Sequence, residues 1–166
     1  NIINDEKAMA VVQKIYYERT NNTYDVDIFN EDTLRGKIGI NAIESTKSLY
    51  DLVVVDSEGV EKRFAEALET HDEVAVYTKL PHGFYINTPM GHYNPDWAIA
   101  FNEGTVKHIY YVAETKGNEW QRSQLRGAED AKLECAARHF EDISQNNNVV
   151  YSVAKDYKTL YDKVMK

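Results

Sequence analysis

The chain has 166 residues, of which 43% are hydrophobic and 28% are charged. This length and composition are typical of one soluble globular domain with a sizeable core. No apolar run approaches the length that spans a membrane, and no signal-peptide hydrophobic region is present. We therefore predict a cytoplasmic protein without a membrane partner.

The net charge is −8, whereas a free-standing DNA-binding protein usually carries a basic surface. If this chain acts on DNA, we expect another polypeptide to supply most of the phosphate contacts. The sequence begins at Asn1, which agrees with a piece of a longer protein. The single cysteine, Cys135, excludes an internal disulfide and a cysteine-cluster zinc site.

Residues 1–56 are predicted to form an N-terminal β-rich extension that packs on the core. Alternating or apolar runs predict strands at 11–17 and 24–29, separated by a polar turn, and a short apolar strand at 52–55. No residue in this region suggests chemistry.

A helix is predicted over 58–70, with Ser57 as its N-cap. Its apolar stripe has i, i+4, i+8 spacing and consists of Val60, Phe64 and Leu68. Glu61 lies about 20° from Leu68 around the helix at about 100° per residue, so it borders this stripe. Glu61 is a candidate third acidic group for a metal site, and an ordinary, partly exposed helix glutamate is an equally good interpretation.

A hairpin is predicted from two apolar runs, 97–100 and 106–113, that are joined by the loop Asn102–Thr105. An upstream strand is predicted at 74–77, and Pro95 can begin the first strand of the hairpin without disturbing its hydrogen bonds. The second run is apolar on both faces, which predicts a central strand covered by helices on both sides.

The far ends of this hairpin are predicted to bring Asp96 close to Glu114 and Lys116. Glu114 and Lys116 point to one side of their strand and Thr115 to the other. Buried charges are costly unless they are paired or bound to a metal, and oxygen ligands of this kind suit Mg²⁺ or Mn²⁺. The lysine would hold the attacking water and offset negative charge in the transition state. An incidental Glu–Lys ion pair at a strand end is the simpler alternative.

A long helix is predicted over 120–140, followed by a strand at 149–153 and a final helix that is capped by Asp156. Polar side chains in the first turns of the long helix lie near the predicted site. Of these, Gln124 and Arg126 are tentative contacts to DNA phosphates, although a solvated polar face explains them as well.

From residue 57 onward the predicted order is helix, three strands, helix, strand, helix, which describes an α/β fold around a mixed sheet. The Pro95-Asp96 pair and the Glu114-Thr115-Lys116 triplet resemble the motif of the PD-(D/E)XK nucleases. The element order coincides with the αβββαβ core of that restriction-endonuclease-like superfamily. We therefore predict a nuclease core over 57–166.

The amino-acid sequence of several segments resembles that of the C-terminal endonuclease domain of type III restriction enzyme Res subunits. The similarity is good over about residues 50–140 and is carried by these segments: Lys79-Leu80-Pro81, Thr88-Pro89-Met90-Gly91, Tyr93 to Ala98, Val112 to Gly117, Leu125-Arg126, and Cys135-Ala136 to His139-Phe140.

This resemblance implies that Asp96, Glu114 and Lys116 form the catalytic triad of a bacterial or archaeal DNA endonuclease. It also implies an ATPase motor in the same chain and a separate modification subunit that recognises the DNA sequence. The chain has no Gly-x-x-x-x-Gly-Lys-Ser/Thr loop, so ATP is expected only in that motor.

The predicted function is Mg²⁺-dependent hydrolysis of double-stranded DNA, with Mn²⁺ as a possible substitute. Asp96, Glu114 and the carbonyl of Thr115 would be metal ligands, with Glu61 as a candidate for a further one. The alternatives are another nuclease of the superfamily, such as a resolvase or repair nuclease, and a catalytically silent docking module. The acidic charge counts against a resolvase, because resolvases bind DNA as basic dimers.

Overall fold

The computed structural model describes residues 10–30, 36–56, 59–106, 110–116, 126–144 and 149–165. After a short 3-10 helix at Val26–Phe29, the described elements in chain order are β1 (Ala42–Glu44), β2 (Leu52–Val54), α1 (Val60–Thr70), β3 (Val74–Lys79), β4 (Ile86–Thr88), β5 (Gly91–Tyr93), β6 (Trp97–Phe101), β7 (Tyr110–Thr115), α2 (Arg126–Ser144), β8 (Val149–Ala154) and α3 (Tyr157–Val164).

The centre of the fold is a four-stranded sheet with the strand order β3-β6-β7-β8. The β3–β6 and β6–β7 pairs are antiparallel, whereas β7 and β8 are parallel. The sheet is therefore mixed, and the order α1, β3, β6, β7, α2, β8 confirms the predicted αβββαβ core. A small antiparallel hairpin, β4–β5, is inserted between β3 and β6.

Helices cover the two faces of the sheet unequally. One face carries α1 and α3, whose Phe64 and Leu160 pack in the same core as Trp97. The other face carries α2, where Leu133 and Phe140 pack against the β7 residue Val112. The three helices and the sheet between them give the chain a layered α/β architecture.

The central position of β7 is confirmed, since it lies between β6 and β8. The prediction that both of its faces are buried is wrong at its beginning, because Tyr110 is 53% exposed. Tyr110 is at the opposite end of the strand from Thr115. Val112, which shares a face of β7 with Tyr110, belongs to the buried cluster that includes residues of α2. Residues 107–109 of the predicted strand lie outside the described residues.

The two strands predicted at 11–17 and 24–29 are wrong. Residues 10–12 are helical, and 26–29 form the 3-10 helix. The Asp25 side chain accepts a hydrogen bond from the Asp27 N–H, and such local bonds compete with strand pairing. In the first segment, the Tyr17 N–H donates to Asp142 of α2 instead of to a neighbouring strand.

The strand predicted at 52–55 is confirmed as β2, and it pairs with β1, which the sequence analysis did not predict. The helix predicted at 58–70 is confirmed as α1, which begins at Val60. The predicted cap is wrong, because Gly59 is the N-cap; Ser57 itself lies outside the described residues. The long helix is described from Arg126 and extends four residues past the predicted end at Phe140, to Ser144. Asp156 caps α3 as predicted, accepting a hydrogen bond from the Thr159 N–H.

Among the described residues, none of the helices is long and apolar enough to cross a membrane. The division of the chain at residues 56 and 57 stays a prediction.

Glu69 on α1 ties the segment after β1 to the core. Its carboxylate accepts hydrogen bonds from the Ser45 hydroxyl, from both the N–H and the hydroxyl of Thr46, and from the Tyr77 hydroxyl. Burial alone would raise the pKa of Glu69, but the bonds from Ser45, Thr46 and Tyr77 lower it to about 2. The ionised carboxylate is therefore the form that stabilises the fold.

We expect Glu69→Gln to reduce the free energy of unfolding by about 1–2 kcal/mol at pH 7. The folded-state pKa lies below the unfolded value, so this contribution is present above about pH 4.5 and is lost as the pH falls toward 2. Urea unfolding of both proteins between pH 7 and pH 3 measures the difference.

Glu66→Gln is the matched control, because Glu66 is an exposed residue of the same helix. A difference between Glu69→Gln and the parent that does not shrink with falling pH would contradict this role of the ionised carboxylate.

Candidate active site

Asp96 lies immediately before β6, where the chain enters the sheet behind the fully buried Pro95. Its backbone carbonyl accepts a hydrogen bond from the Leu80 N–H at 2.8 Å. Its carboxylate oxygen Oδ2 accepts two bonds from Thr115, one from the N–H and one from the hydroxyl, both at 2.7 Å. The carboxylate is thus fixed across the strand pair, at the end of β7.

Glu114 and Lys116 lie at that same end of β7. The Lys116 Nζ is 2.8 Å from Glu114 Oε1, so the two side chains share one side of the strand as predicted. Thr115 turns to the other face, where the Trp97 indole N–H donates to its hydroxyl at 3.4 Å. The alternating directions follow from the pleat of the strand.

One cavity of about 470 Å³ brings the three predicted residues together. It lies at the edge of the sheet where β6 begins and β7 ends. Its charged lining consists of Asp56, Lys79, Asp96, Glu114, Lys116, Glu129 and Lys132. The predicted convergence of Asp96, Glu114 and Lys116 on one site agrees with this geometry.

Burial dominates the electrostatics of the two central carboxylates. It raises the pKa of Asp96, although the two hydrogen bonds from Thr115 oppose the shift. It also raises the pKa of Glu114, to about 7, with the charge of Asp96 as the second cause. Two buried carboxylates that repel one another favour the presence of a cation between or beside them.

Lys116 is held by two carboxylates. Its Nζ donates to Glu129 Oε1 at 2.6 Å in addition to its contact with Glu114. Burial alone would lower the pKa of Lys116, but its hydrogen bonds with Glu114 and Glu129 outweigh burial and raise it. The ammonium is therefore charged at neutral pH.

A pair of tyrosine hydroxyls lies next to Glu114. The Tyr93 hydroxyl donates to Glu114 Oε2 at 2.7 Å, and it also lies 2.6 Å from the Tyr151 hydroxyl. Both oxygens of Glu114 are thus occupied, one by Lys116 and one by Tyr93. The buried carboxylate is held in a single orientation.

Glu61, the tentative third acidic ligand, lies near Asp96 but is engaged elsewhere. Its Oε2 is 3.0 Å from the Lys79 Nζ and accepts a hydrogen bond from the Asp56 N–H at 2.7 Å. Lys79 also pairs with the Asp56 carboxylate. The negative charge of Glu61 still reaches Asp96, whose pKa it helps to raise. A role for Glu61 as a ligand stays a prediction.

The structure does not describe the side chains of the two residues that were predicted to contact DNA. Gln124 lies outside the described residues, and of Arg126 the structure describes only the backbone, at the start of α2. The roles assigned to them stay predictions, as does that of the Thr115 carbonyl.

Sequence reasoning missed three residues that contact the site: Tyr93, Glu129 and Lys79. Glu129 lies thirteen positions beyond Lys116 on another element, and no periodic pattern links the two. Tyr93 carried a usable signal, since it lies three residues before Asp96 in a proline-rich turn region. Lys79 ends β3, the strand that pairs with β6, at the position opposite Trp97.

The donor set fits a hard divalent cation. Among the described residues, no group of three or more histidine, cysteine, aspartate and glutamate side chains could hold a metal ion. Asp96 and Glu114 nevertheless offer two carboxylates on one cavity. Mg²⁺ keeps several of its waters and is commonly bound by one or two protein carboxylates together with substrate phosphates.

The mixed sheet flanked by helices, with this site at its edge, defines a restriction-endonuclease-like fold. The chain matches the family model described as "Endonuclease domain" over residues 46–157, which is more than half of its length. The chain belongs to this family and is a nuclease domain. Neither the curated proteins nor the solved structures include a match to it.

We expect Tyr93→Phe to destabilise the fold by about 1–3 kcal/mol, because it leaves a buried oxygen of Glu114 without its donor. Urea unfolding at pH 8 measures the loss. Tyr16→Phe is the control, since the Tyr16 side chain is exposed, and it should leave the midpoint unchanged. Equal midpoints for the parent and Tyr93→Phe would show that this hydroxyl does not support Glu114.

Proposed function

We propose that the chain is a Mg²⁺-dependent endonuclease domain that hydrolyses phosphodiester bonds of double-stranded DNA. The observation that supports this most is the convergence of Asp96, Glu114 and Lys116 on one cavity. Membership of an endonuclease family agrees with the proposal. Mn²⁺ would substitute for Mg²⁺, since both prefer oxygen ligands.

Asp96 and Glu114 would hold the ion, with the carbonyl of Thr115 as a further ligand and Glu61 as a tentative one. A bound ion of this kind stabilises negative charge on a phosphoryl oxygen and lowers the pKa of its water. Asp96 is already oriented for such a role by the N–H and the hydroxyl of Thr115. This pre-orientation reduces the entropy that binding would otherwise cost.

Lys116 would place a positive charge beside the reacting phosphate. Its ammonium can orient the attacking water and offset the charge that builds on the phosphate oxygens in the transition state. Glu129 contacts the same ammonium from α2. Lys116 therefore has an anchor that does not depend on Glu114, and it can stay in position when Glu114 binds a cation.

The finer proposal places this domain in a type III restriction-modification system in the cytoplasm of a bacterium or archaeon. An ATPase motor in the same chain and a modification subunit would then deliver the DNA. The net charge of −8 supports this division of labour, because an acidic domain gains little from non-specific attraction to phosphates.

We predict that Asp96→Ala abolishes metal-dependent cleavage of DNA while the fold is kept. We expect a loss on the order of 10³-fold or more in rate, together with loss of Mn²⁺ binding by calorimetry. Asp72→Ala, which removes an exposed carboxylate, should behave like the parent.

Circular dichroism establishes that both variants are folded. A parent that binds no Mn²⁺ would favour the docking module over the nuclease. A variant that cleaves DNA as fast as the parent would remove Asp96 from the mechanism.

A further pair of variants distinguishes the role of Lys116 from that of the proposed metal ligands. Lys116→Met should lower the cleavage rate by about 10²–10³-fold but keep Mn²⁺ binding, because both carboxylates remain. Glu129→Gln should have a smaller effect, about tenfold, since it loosens Lys116 without removing its charge.

Glu134→Gln is the control for this pair, because Glu134 is an exposed residue of the same helix and pairs with Arg138 rather than with a residue of the site. Loss of Mn²⁺ binding in Lys116→Met would mean that the lysine supports the metal site rather than the reaction.

A further inference from the structure

A second cavity, of about 760 Å³, lies between α1 and α3 and adjoins the candidate active site. Lys116 lines both cavities. The Lys116 N–H donates to the Ala154 carbonyl at the end of β8, so the start of α3 follows directly beside it. A DNA strand that passes Lys116 to reach Asp96 and Glu114 would therefore extend into this second cavity.

Two cations at the cavity are available for a ligand. Arg63 of α1 and Lys155 before α3 both line it and are exposed. Within the part of the chain that the structure describes, neither has a carboxylate within ion-pair distance, whereas Lys79 and Lys116 are each bound by two. Phosphate is the natural partner of such exposed cations.

The acidic groups that line the cavity are occupied within the fold. Glu73 accepts a hydrogen bond from the Tyr157 hydroxyl at 2.9 Å. Asp156 accepts two from Thr159 as the cap of α3. These bonds hold both carboxylates in fixed positions on the α3 side.

The rest of the wall is largely apolar and aromatic, and it is formed by Val60, Phe64, Ala67, Tyr157 and Tyr161. It also includes His71, whose ring stacks on Tyr157, and Lys158, which pairs with Asp162. A base has an apolar face that stacks on aromatic side chains, and this contact does not depend on the identity of the base. The cations at the rim thus suit the phosphate of a nucleotide, and the apolar wall suits its base.

We infer that this second cavity binds an unpaired nucleotide of the substrate strand next to the bond that is cut, with its phosphate on Arg63 and Lys155. The inference rests on the proposed function and adds a substrate subsite to it. The volume lies in the range of about 300–1,000 Å³ that is typical of sites for small ligands. A nucleotide fits such a cavity only when its base is out of the duplex stack.

The test is DNA binding by the Asp96→Ala chain without added divalent metal, so that no cleavage occurs. Fluorescence anisotropy compares a single-stranded oligonucleotide with a blunt duplex over a range of salt concentrations. We expect Arg63→Gln/Lys155→Gln to bind the single strand about five- to tenfold more weakly. The salt slope should fall by about 0.7–1.4, which corresponds to one or two lost phosphate contacts.

Lys62→Gln is the matched control, because Lys62 neighbours Arg63 on α1 but directs its ammonium to the Gly39 carbonyl. It should keep both the affinity and the slope. Tyr161→Leu keeps an apolar side chain and removes the aromatic face, and we expect about tenfold weaker binding of the single strand from the lost stacking. Thermal unfolding establishes that each variant is folded.

Unchanged affinity and slope in the double variant would overturn the inference. An equal loss of affinity for the blunt duplex would also overturn it, because the two cations would then contact a paired strand. A parent that binds no single strand at about 1 mM, a concentration well above the usual non-specific dissociation constants, would overturn it as well. If the Asp96→Ala chain binds the single strand in this way but the parent chain does not cleave DNA when metal is added, the proposed function fails while the nucleotide site stands.

Discussion

The candidate site depends on the contact between the Asp96 carboxylate and Thr115. Two hydrogen bonds of 2.7 Å join the beginning of β6 to the end of β7. The pairing of Trp97 with Ala113 makes this contact possible, because it puts Asp96 beside the last residues of β7. A shift of the register by one residue would turn Glu114 and Lys116 to the opposite face of the sheet. The positions of Glu114 and Lys116 relative to Asp96 follow from this register.

Charge balance is the second constraint on the site. Two lysines each bridge two carboxylates: Lys79 binds Asp56 and Glu61, and Lys116 binds Glu114 and Glu129. Such pairing offsets part of the cost of placing charges in a partly buried cavity. The Asp96 carboxylate accepts its hydrogen bonds from the neutral N–H and hydroxyl of Thr115, so its negative charge is left for the proposed cation to offset. This arrangement explains how an acidic domain can suit a reaction on a polyanion.

The part of the fold with strong patterns was predicted well from the sequence. The stripe of α1, the strands that became β3, β6, β7 and β8, and the cap at Asp156 all rest on short-range rules of periodicity and capping. The segments at 11–17 and 24–29 alternate like strands but are held by side chains of distant residues or by local turns. Alternation shows that a segment is amphipathic, but it does not supply the neighbouring strand that a β-ladder requires.

The meeting of Asp96, Glu114 and Lys116 at one end of the hairpin could be predicted from the sequence alone, because strand alternation and a tight loop fix which residues lie side by side there. The contacts of Glu129 with Lys116, of Tyr93 with Glu114 and of Glu61 with Lys79 became apparent only in three dimensions. These contacts join elements whose relative placement depends on packing across the whole sheet. Side-chain partners of that kind are set by the three-dimensional fold, since no local spacing encodes the distance between separate helices and strands.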